Sequence, residues 1–244
     1  MKRDGARGGR PVWLHAWVGD QATCYVIDPH RSAAALEKVI GLDYPGTLVH
    51  DGAASYDRFE EALHQGCVAH PMRRAHNLEQ VQPGRARSFS RQIINLFQEA
   101  LRLRDAYRKG KVAPADRPAA YEKYANRLRL TQHPRANEAN DTFARHLYNY
   151  SHTWFYFLLE PEVPATNHQA EQALRTPIVN RKVFGGNRTD AGCRAQEITS
   201  SIIQTRKQQK HSAFTFIRHA VCGLAQSILS LTSQSRQPAL NFIR

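Results

Sequence analysis

Apolar and polar positions alternate early in the chain. Val12, Leu14, Ala16 and Val18 are interleaved with Trp13, His15 and Trp17, a period of two that predicts a strand. A second β-rich run, Thr23 to Asp28, closes at Pro29, and Gly19-Asp20-Gln21 between the runs predicts a hairpin with a short loop. Ser32 then stands where it can cap a helix through Ala35, Leu36, Val39 and Ile40, which Gly41 ends. A short strand is expected over Thr47–Asp51, broken by Gly52. A helix follows from Tyr56 to Leu63, and then another short strand over Cys67–His70. Strand, strand, helix, strand, helix, strand predicts a mixed α/β layer.

From Ser88 the period changes to three and four. Ile93, Leu96, Phe97, Ala100, Leu101 and Tyr107 share one helical face. Tyr121, Tyr124, Ala125 and Leu128 repeat the pattern, and Phe143, Leu147, Tyr150 and Trp154 do so again. This block carries no strand signal and is read as an α-helical insertion. Pro83-Gly84 precede it and Pro161 to Pro164 follow it. The expected organisation is a first part of the core over 1–87, the insertion over 88–160, a second part of the core over 161–208, and a C-terminal helix and tail over 209–244. The C-terminal helix is signalled by Phe214, Ile217, Val221, Leu224, Ala225 and Ile228, and the last dozen residues read as a loose tail.

Charge adds a partner. The 244 residues hold 34 Lys and Arg against 21 Asp and Glu, a net charge of +13 and a pI near 10.0. That balance argues against an acidic-surface enzyme of small metabolites and for a polyanion, most simply nucleic acid. The longest apolar run, Trp154 to Leu159, is far short of the roughly 20 residues a bilayer demands. The start, Met1-Lys-Arg-Asp-Gly-Ala-Arg, has no apolar stretch behind its charges and so no secretory signal. Cys24, Cys67, Cys193 and Cys222 lack framework spacing, which points to reduced thiols in a cytosol.

Two carboxylates stand out. Asp51 sits at the carboxyl end of a short apolar strand, where open α/β sheets bind ligands, although Asp-Gly is also an ordinary turn dipeptide. Asp28 has similar geometry, but the helix start beyond Pro29 makes capping its expected job. Thr166-Asn-His-Gln169 has capping-box spacing, so a helix starting there carries Glu171 about one turn in. Leu174, Arg175 and Ile178 follow on the same face. Glu171 and Arg175 could equally be an exposed i,i+4 ion pair. Basic residues gather nearby in sequence: Arg73, Arg74, Arg175, Arg181, Lys182, Arg188, Arg206 and Lys207. Guanidinium forks suit phosphate oxygens, and the alternative is a solvated face. Cys67-Val-Ala-His70 is half a zinc spacing with no second pair at a usual distance. No phosphate-binding loop and no Gly-x-Ser-x-Gly elbow occur.

Four segments fall in one order. They are His50-Asp-Gly-Ala-Ala-Ser-Tyr-Asp57, Cys67-Val-Ala-His-Pro-Met-Arg-Arg74, Thr166-Asn-His-Gln-Ala-Glu-Gln-Ala-Leu-Arg175 and Asn180-Arg-Lys-Val-Phe-Gly-Gly186. Together they resemble the transposases of the insertion-sequence sixty-six family, from Trp13 to about Gly223. The resemblance implies an RNase H-like mixed sheet core interrupted by an α-helical insertion. It also implies Asp-Asp-Glu chemistry, with acidic residues holding Mg2+ (or Mn2+) for DNA strand cleavage and transfer. Asp51 maps to the second acid and Glu171, 120 positions later, to the third. Arg73, Arg74, Arg175, Arg181, Lys182 and Arg188 map to a DNA-binding face. The implied partners are transposon-end and target DNA and further copies of the chain, with no membrane. The implied setting is the bacterial cytoplasm at the nucleoid.

The sequence departs from the family pattern as well. The family's first acid opens an Asp-Glu-Thr segment about a dozen residues before the tryptophan matching Trp13, and that count reaches Met1-Lys-Arg. The expectation is therefore a truncated or inactive form lacking its first strand. Asp4 is not promoted, because no strand context is legible around it. Thr166-Asn-His stands for Asp-Asn-Asn, and Gln172 stands for an Arg. The alternative to an enzyme is a catalytically dead DNA-binding relic or a partner of an intact transposase.

Overall fold

The computed structural model describes residues 2–7, 10–30, 32–132 and 137–234. In chain order its strands are β1 (Lys2–Arg7), β2 (Arg10–Val18), β3 (Thr23–Asp28), β4 (Thr47–His50) and β5 (Leu63–Gly66). Its helices are α1 (Ala34–Ile40), α2 (Ala69–Val81), α3 (Gly84–Arg108), α4 (Arg117–Arg129), α5 (Glu138–Asn149), α6 (Tyr156–Leu159), α7 (His168–Ala173), α8 (Arg175–Phe184), α9 (Asp190–Gln208) and α10 (Ala213–Gln234). The class is mixed α/β and mostly helical, with two small sheets. The expected tail from 235 to 244 lies outside the described residues. The chain divides into two compact units, Met1–Arg31 with Ala170–Arg244, and Ser32–Gln169.

In the first unit β1, β2 and β3 form an antiparallel sheet in that order. The β2–β3 hairpin forms as its alternation predicts. Val12 and Leu14 of β2 and Tyr25 and Ile27 of β3 are buried with Ala173, Leu174 and Cys193. A strand precedes Val12 after all: β1 pairs with β2, setting Asp4 opposite Val12, with an irregularity between Asp4 and Ala6. Lys-Arg-Asp-Gly-Ala-Arg has no apolar alternation, so its strand state rests on main-chain pairing that the pattern does not encode. Asp4 therefore has the strand context that the sequence did not reveal.

The outer edge of β3 is closed by side chains rather than by another strand. The N–H groups of Thr23, Tyr25 and Ile27 donate to Thr205 Oγ1 (3.0 Å), Ser201 Oγ (2.9 Å) and Glu197 Oε1 (2.7 Å) on α9. Two residues along a strand advance about 6.7 Å. Four along a helix advance about 6.0 Å, so a row at i, i+4, i+8 keeps step with alternate strand residues. The edge is thereby blunted against pairing with another chain.

Glu171 was expected on one helix running through Ile178. The chain instead breaks at Leu174 between α7 and α8, and α7 begins at His168 rather than Thr166. Pro177 has no N–H to offer the carbonyl of Ala173 four residues before it. The buried Tyr25 hydroxyl donates to that carbonyl instead, at 2.7 Å, and burial pushes the phenol up to about 12. Tyr25→Phe would leave the Ala173 carbonyl unpaired, so it is expected to cost about 1–3 kcal/mol in urea unfolding. A midpoint unchanged from the parent would contradict this role.

The second unit packs α2 to α6 around a core that includes Phe97, Leu128, Phe143, Leu147, Trp154 and Phe155. The residues whose apolar positions recur at three and four from Ser88 onward lie in helices α3 to α6 and the turns between them. Two local expectations upstream of them are corrected. The segment from Tyr56 to Leu63 is not an α-helix: Ala54–Arg58 forms a 3-10 turn and Leu63 begins a strand. Cys67–His70 is not a strand but leads into α2 at Ala69. The strand is β5, four residues earlier, parallel to β4 with His50 opposite Gly66. Its sequence, Leu-His-Gln-Gly, lacks apolar alternation because polar bonds hold it. The buried Gln65 amide donates to the Trp154 carbonyl at 3.1 Å, and its oxygen accepts from Phe157 N–H at 2.8 Å.

Candidate functional site

Asp51 follows the last residue of β4, at the carboxyl end of a two-stranded parallel ribbon. Its Oδ1 accepts from Ala53 N–H at 3.3 Å, and Gly52 at φ +79° makes the sharp turn that a side chain would resist. The turn is thus real, but it does not exclude a ligand role, since it holds the carboxylate at a strand end.

His50 fixes that turn from below. It is 3% exposed, its ring stacks on Tyr56 at 4.4 Å, and its Nδ1 accepts from Gly52 N–H at 3.1 Å. Because Nδ1 is an acceptor, the neutral ring carries its proton on Nε2, which donates to His64 Nδ1 at 3.1 Å. His64 in turn donates from Nε2 to the Phe59 carbonyl at 2.9 Å. A backbone donor at one end and a backbone acceptor at the other set both tautomers. Burial first, then the neighbouring His64, lowers the His50 pKa to about 4, against a smaller upward pull from Asp51. His50 is therefore neutral at physiological pH, and its ring anchors the Asp51 turn without spending a charge.

Beside the pair lies a cleft of about 820 Å³, lined by His50, Asp57, Glu60, His64, Tyr150 and His152 among others. The sequence reading missed His64 and the cleft. Twelve dispersed histidines give no pattern, and His64 meets His50 only through the β4–β5 register, in which Leu48 faces His64.

The basic candidates divide between the units. In the second, Arg73 is exposed on α2, while Arg74 is half-buried with its guanidinium 4.8 Å from the centre of the Phe143 ring. Burial lowers the pKa of Arg74. In the first unit, Glu171 is half-buried on α7, and α8 with the turn after it carries Arg175, Arg181, Lys182 and Arg188. Of these Arg175, Lys182 and Arg188 are exposed. Asp28 is buried and accepts from His30 N–H at 2.8 Å in a local turn; neither it nor Ser32 caps α1, whose N-cap is Ala33 with no side-chain cap. The four cysteines are free thiols. Among the described residues no cluster of three or more His, Cys, Asp or Glu could hold a metal ion, and no helix is long and apolar enough to cross a membrane.

Comparison with known proteins bears on this arrangement directly. No curated protein and no solved structure matches the chain. The family model described as "Transposase IS66 family" matches residues 1–195. That span contains both carboxylates, the five strands, helices α1 to α8 and the basic turn after α8, and it covers well over half of the chain. The chain belongs to the IS66 family of transposases.

Proposed function

We propose that the chain acts on DNA as a transposase of the Asp-Asp-Glu type, with Asp51 and Glu171 as two of its metal-holding acids. In this reading the five strands derive from an RNase H-like core. The exposed cations of α2, α8 and the following turn grip the phosphate backbone, and further copies of the chain assemble on paired DNA ends at the bacterial nucleoid. The observation that carries the reading is the family match over residues 1–195, which spans Asp51 at the end of a parallel strand and Glu171 ahead of a cation-rich helix. Carboxylate oxygens are the donors that Mg2+ and Mn2+ take, and these ions accept a sparse protein shell completed by water and substrate phosphate. When bound, such ions supply Lewis-acid stabilisation of phosphoryl oxygens. The chain's own part is to hold Asp51 on the turn locked by His50 and to seat the backbone on Lys182, Arg188 and Arg175.

A second reading follows from departures inside the motif segments. Thr166-Asn-His stands for Asp-Asn-Asn ahead of Glu171, and Gln172 stands for the Arg after it. In that reading the altered acid segment leaves a chain that binds DNA without cutting it, alone or beside an intact transposase.

The test has two stages. Fluorescence anisotropy on duplex DNA is expected to show affinity falling steeply with salt, as counterion release requires. Lys182→Gln and Arg188→Gln should each flatten the log–log slope by about 1. Binding that is absent or indifferent to salt overturns both readings. Strand cleavage in Mg2+ or Mn2+ that disappears in Asp51→Ala supports the enzyme, whereas cleavage that survives Asp51→Ala removes Asp51 from the chemistry. No cleavage by the parent chain, with binding intact, selects the second reading.

A further inference from the structure

Helix α8 ends in a feature that phosphate contacts do not explain. Phe184, its last residue, is 77% exposed, and Val183 beside it and Val179 one turn earlier are 70% and 56% exposed. Large apolar side chains this open to water are out of place on a basic surface. From Gln172 to Thr189 the chain has four cations, Arg175, Arg181, Lys182 and Arg188, and no carboxylate.

The turn carrying Phe184 is firmly held. Gly185 caps α8 in the left-handed region at φ +77°, donating from its N–H to the Arg181 carbonyl at 2.9 Å, and Gly186 follows at φ +80°. The Asn187 side-chain amide then donates to Gln196 Oε1 on α9. Thr189 caps α9 by accepting from Gly192 N–H at 3.1 Å. Phe184 is thus displayed on a pinned corner, and no atom approaches the space where a Gly185 side chain would project.

We propose that Phe184 is a base-stacking residue, taking the face of an unpaired DNA base while Arg181, three residues before it on the same side of α8, and Arg188 in the turn beyond hold the flanking phosphates. Charge complementarity selects the polyanion: four cations with no carboxylate among them disfavour a second copy of the same surface. The aromatic ring selects an unpaired base. Phe184 has no hydrogen-bonding group for a groove edge, and bases within duplex DNA have both faces covered by their neighbours. A π-face next to cations is the usual composition of a single-strand platform. Strand cleavage and transfer would create the ends that such a platform holds, so the inference rests on the DNA reading above and assigns it a further contact.

The full chain is tested against two DNAs, a blunt duplex and a duplex with a short 3′ overhang carrying 2-aminopurine. Phe184→Leu keeps an apolar side chain and removes the ring at an exposed position, and circular dichroism checks that it folds. It is expected to weaken overhang binding about tenfold and leave blunt-duplex binding unchanged. Aminopurine quenching is expected with the parent, should vanish in Phe184→Leu and should return in Phe184→Trp. If the parent binds DNA and Phe184→Leu matches it on both DNAs, this proposal alone is overturned. It is equally overturned if Phe184→Leu shifts the oligomeric state in sedimentation with quenching intact, because the face then serves another copy. If the parent binds no DNA, the DNA reading falls and the proposal with it.

Discussion

Trp154→Ala is expected to destabilise the protein by about 3–5 kcal/mol and to loosen the Asp51 turn. The indole is 1% exposed in the core of the second unit, packed edge-on to Phe97, and its Nε1 donates to the Leu147 carbonyl at 3.2 Å. Its rim also reaches both strand ends of the ribbon. A Cβ placed on Gly66 would sit 2.7 Å from the ring, and one on Gly52 would sit 3.8 Å away. Removing the indole therefore opens a cavity beneath β5 and takes the floor from under the turn that holds Asp51. Urea unfolding gives the stability loss, and amide hydrogen exchange at Gly52 and Ala53 gives the loosening. Gly66→Ala supplies the converse case. It forces a methyl into the indole and should also destabilise the ribbon, by about 1–3 kcal/mol. A Trp154→Ala protein with near-parental stability would mean that the second unit's core does not depend on this contact.

The legible parts of the fold were those written in apolar periodicity. Val12 and Leu14 alternate because one face of β2 is buried, and the α3 stripe through Ile93, Leu96, Phe97 and Ala100 recurs at helical spacing for the same reason. Where polar bonds or the main chain carry an element, the pattern is silent. β5 is held by its pairing with β4 and by Gln65, β1 by its pairing with β2, and the α7–α8 break by the carbonyl that Pro177 leaves to Tyr25. The period through Phe143, Leu147, Tyr150 and Trp154 overreached in the other direction. Helix α5 stops at Asn149, and Trp154 enters the same core from a turn. Asp51 and Glu171 were visible as members of an ordered set of segments. Phe184 lies in the Arg181-Lys182-Val-Phe segment, but its exposure on the end of α8 is a property of the fold and not of the residue type. The His50–His64 pair needed the strand register before it could be seen at all.

Acidification from pH 7 to pH 5 is expected to cost about 2 kcal/mol of stability through His50 alone. The group is a base whose pKa falls on folding, from about 6.5 in the unfolded chain to about 4. Between those values the unfolded state binds the proton and the folded state does not. Stability is therefore complete above pH 6.5 and declines as pH falls towards 4, by roughly 3 kcal/mol in all at 1.36 kcal/mol per unit. The groups acting on His50 set the sign. Burial, His64 and His152 oppose protonation, and Asp51 only partly offsets them. Protonation would also put a proton on Nδ1, where the Gly52 N–H now donates, so the anchor of the Asp51 turn is lost in the same step. His146 and His152 have lowered values from burial as well and steepen the decline in the same direction. Urea midpoints measured at pH 7, 6 and 5 test this, with His50→Gln as the control. The variant should be less stable at pH 7 because the relay is gone, and its midpoint should move less with pH. Equal pH slopes for parent and His50→Gln would show that His50 is not the group being titrated.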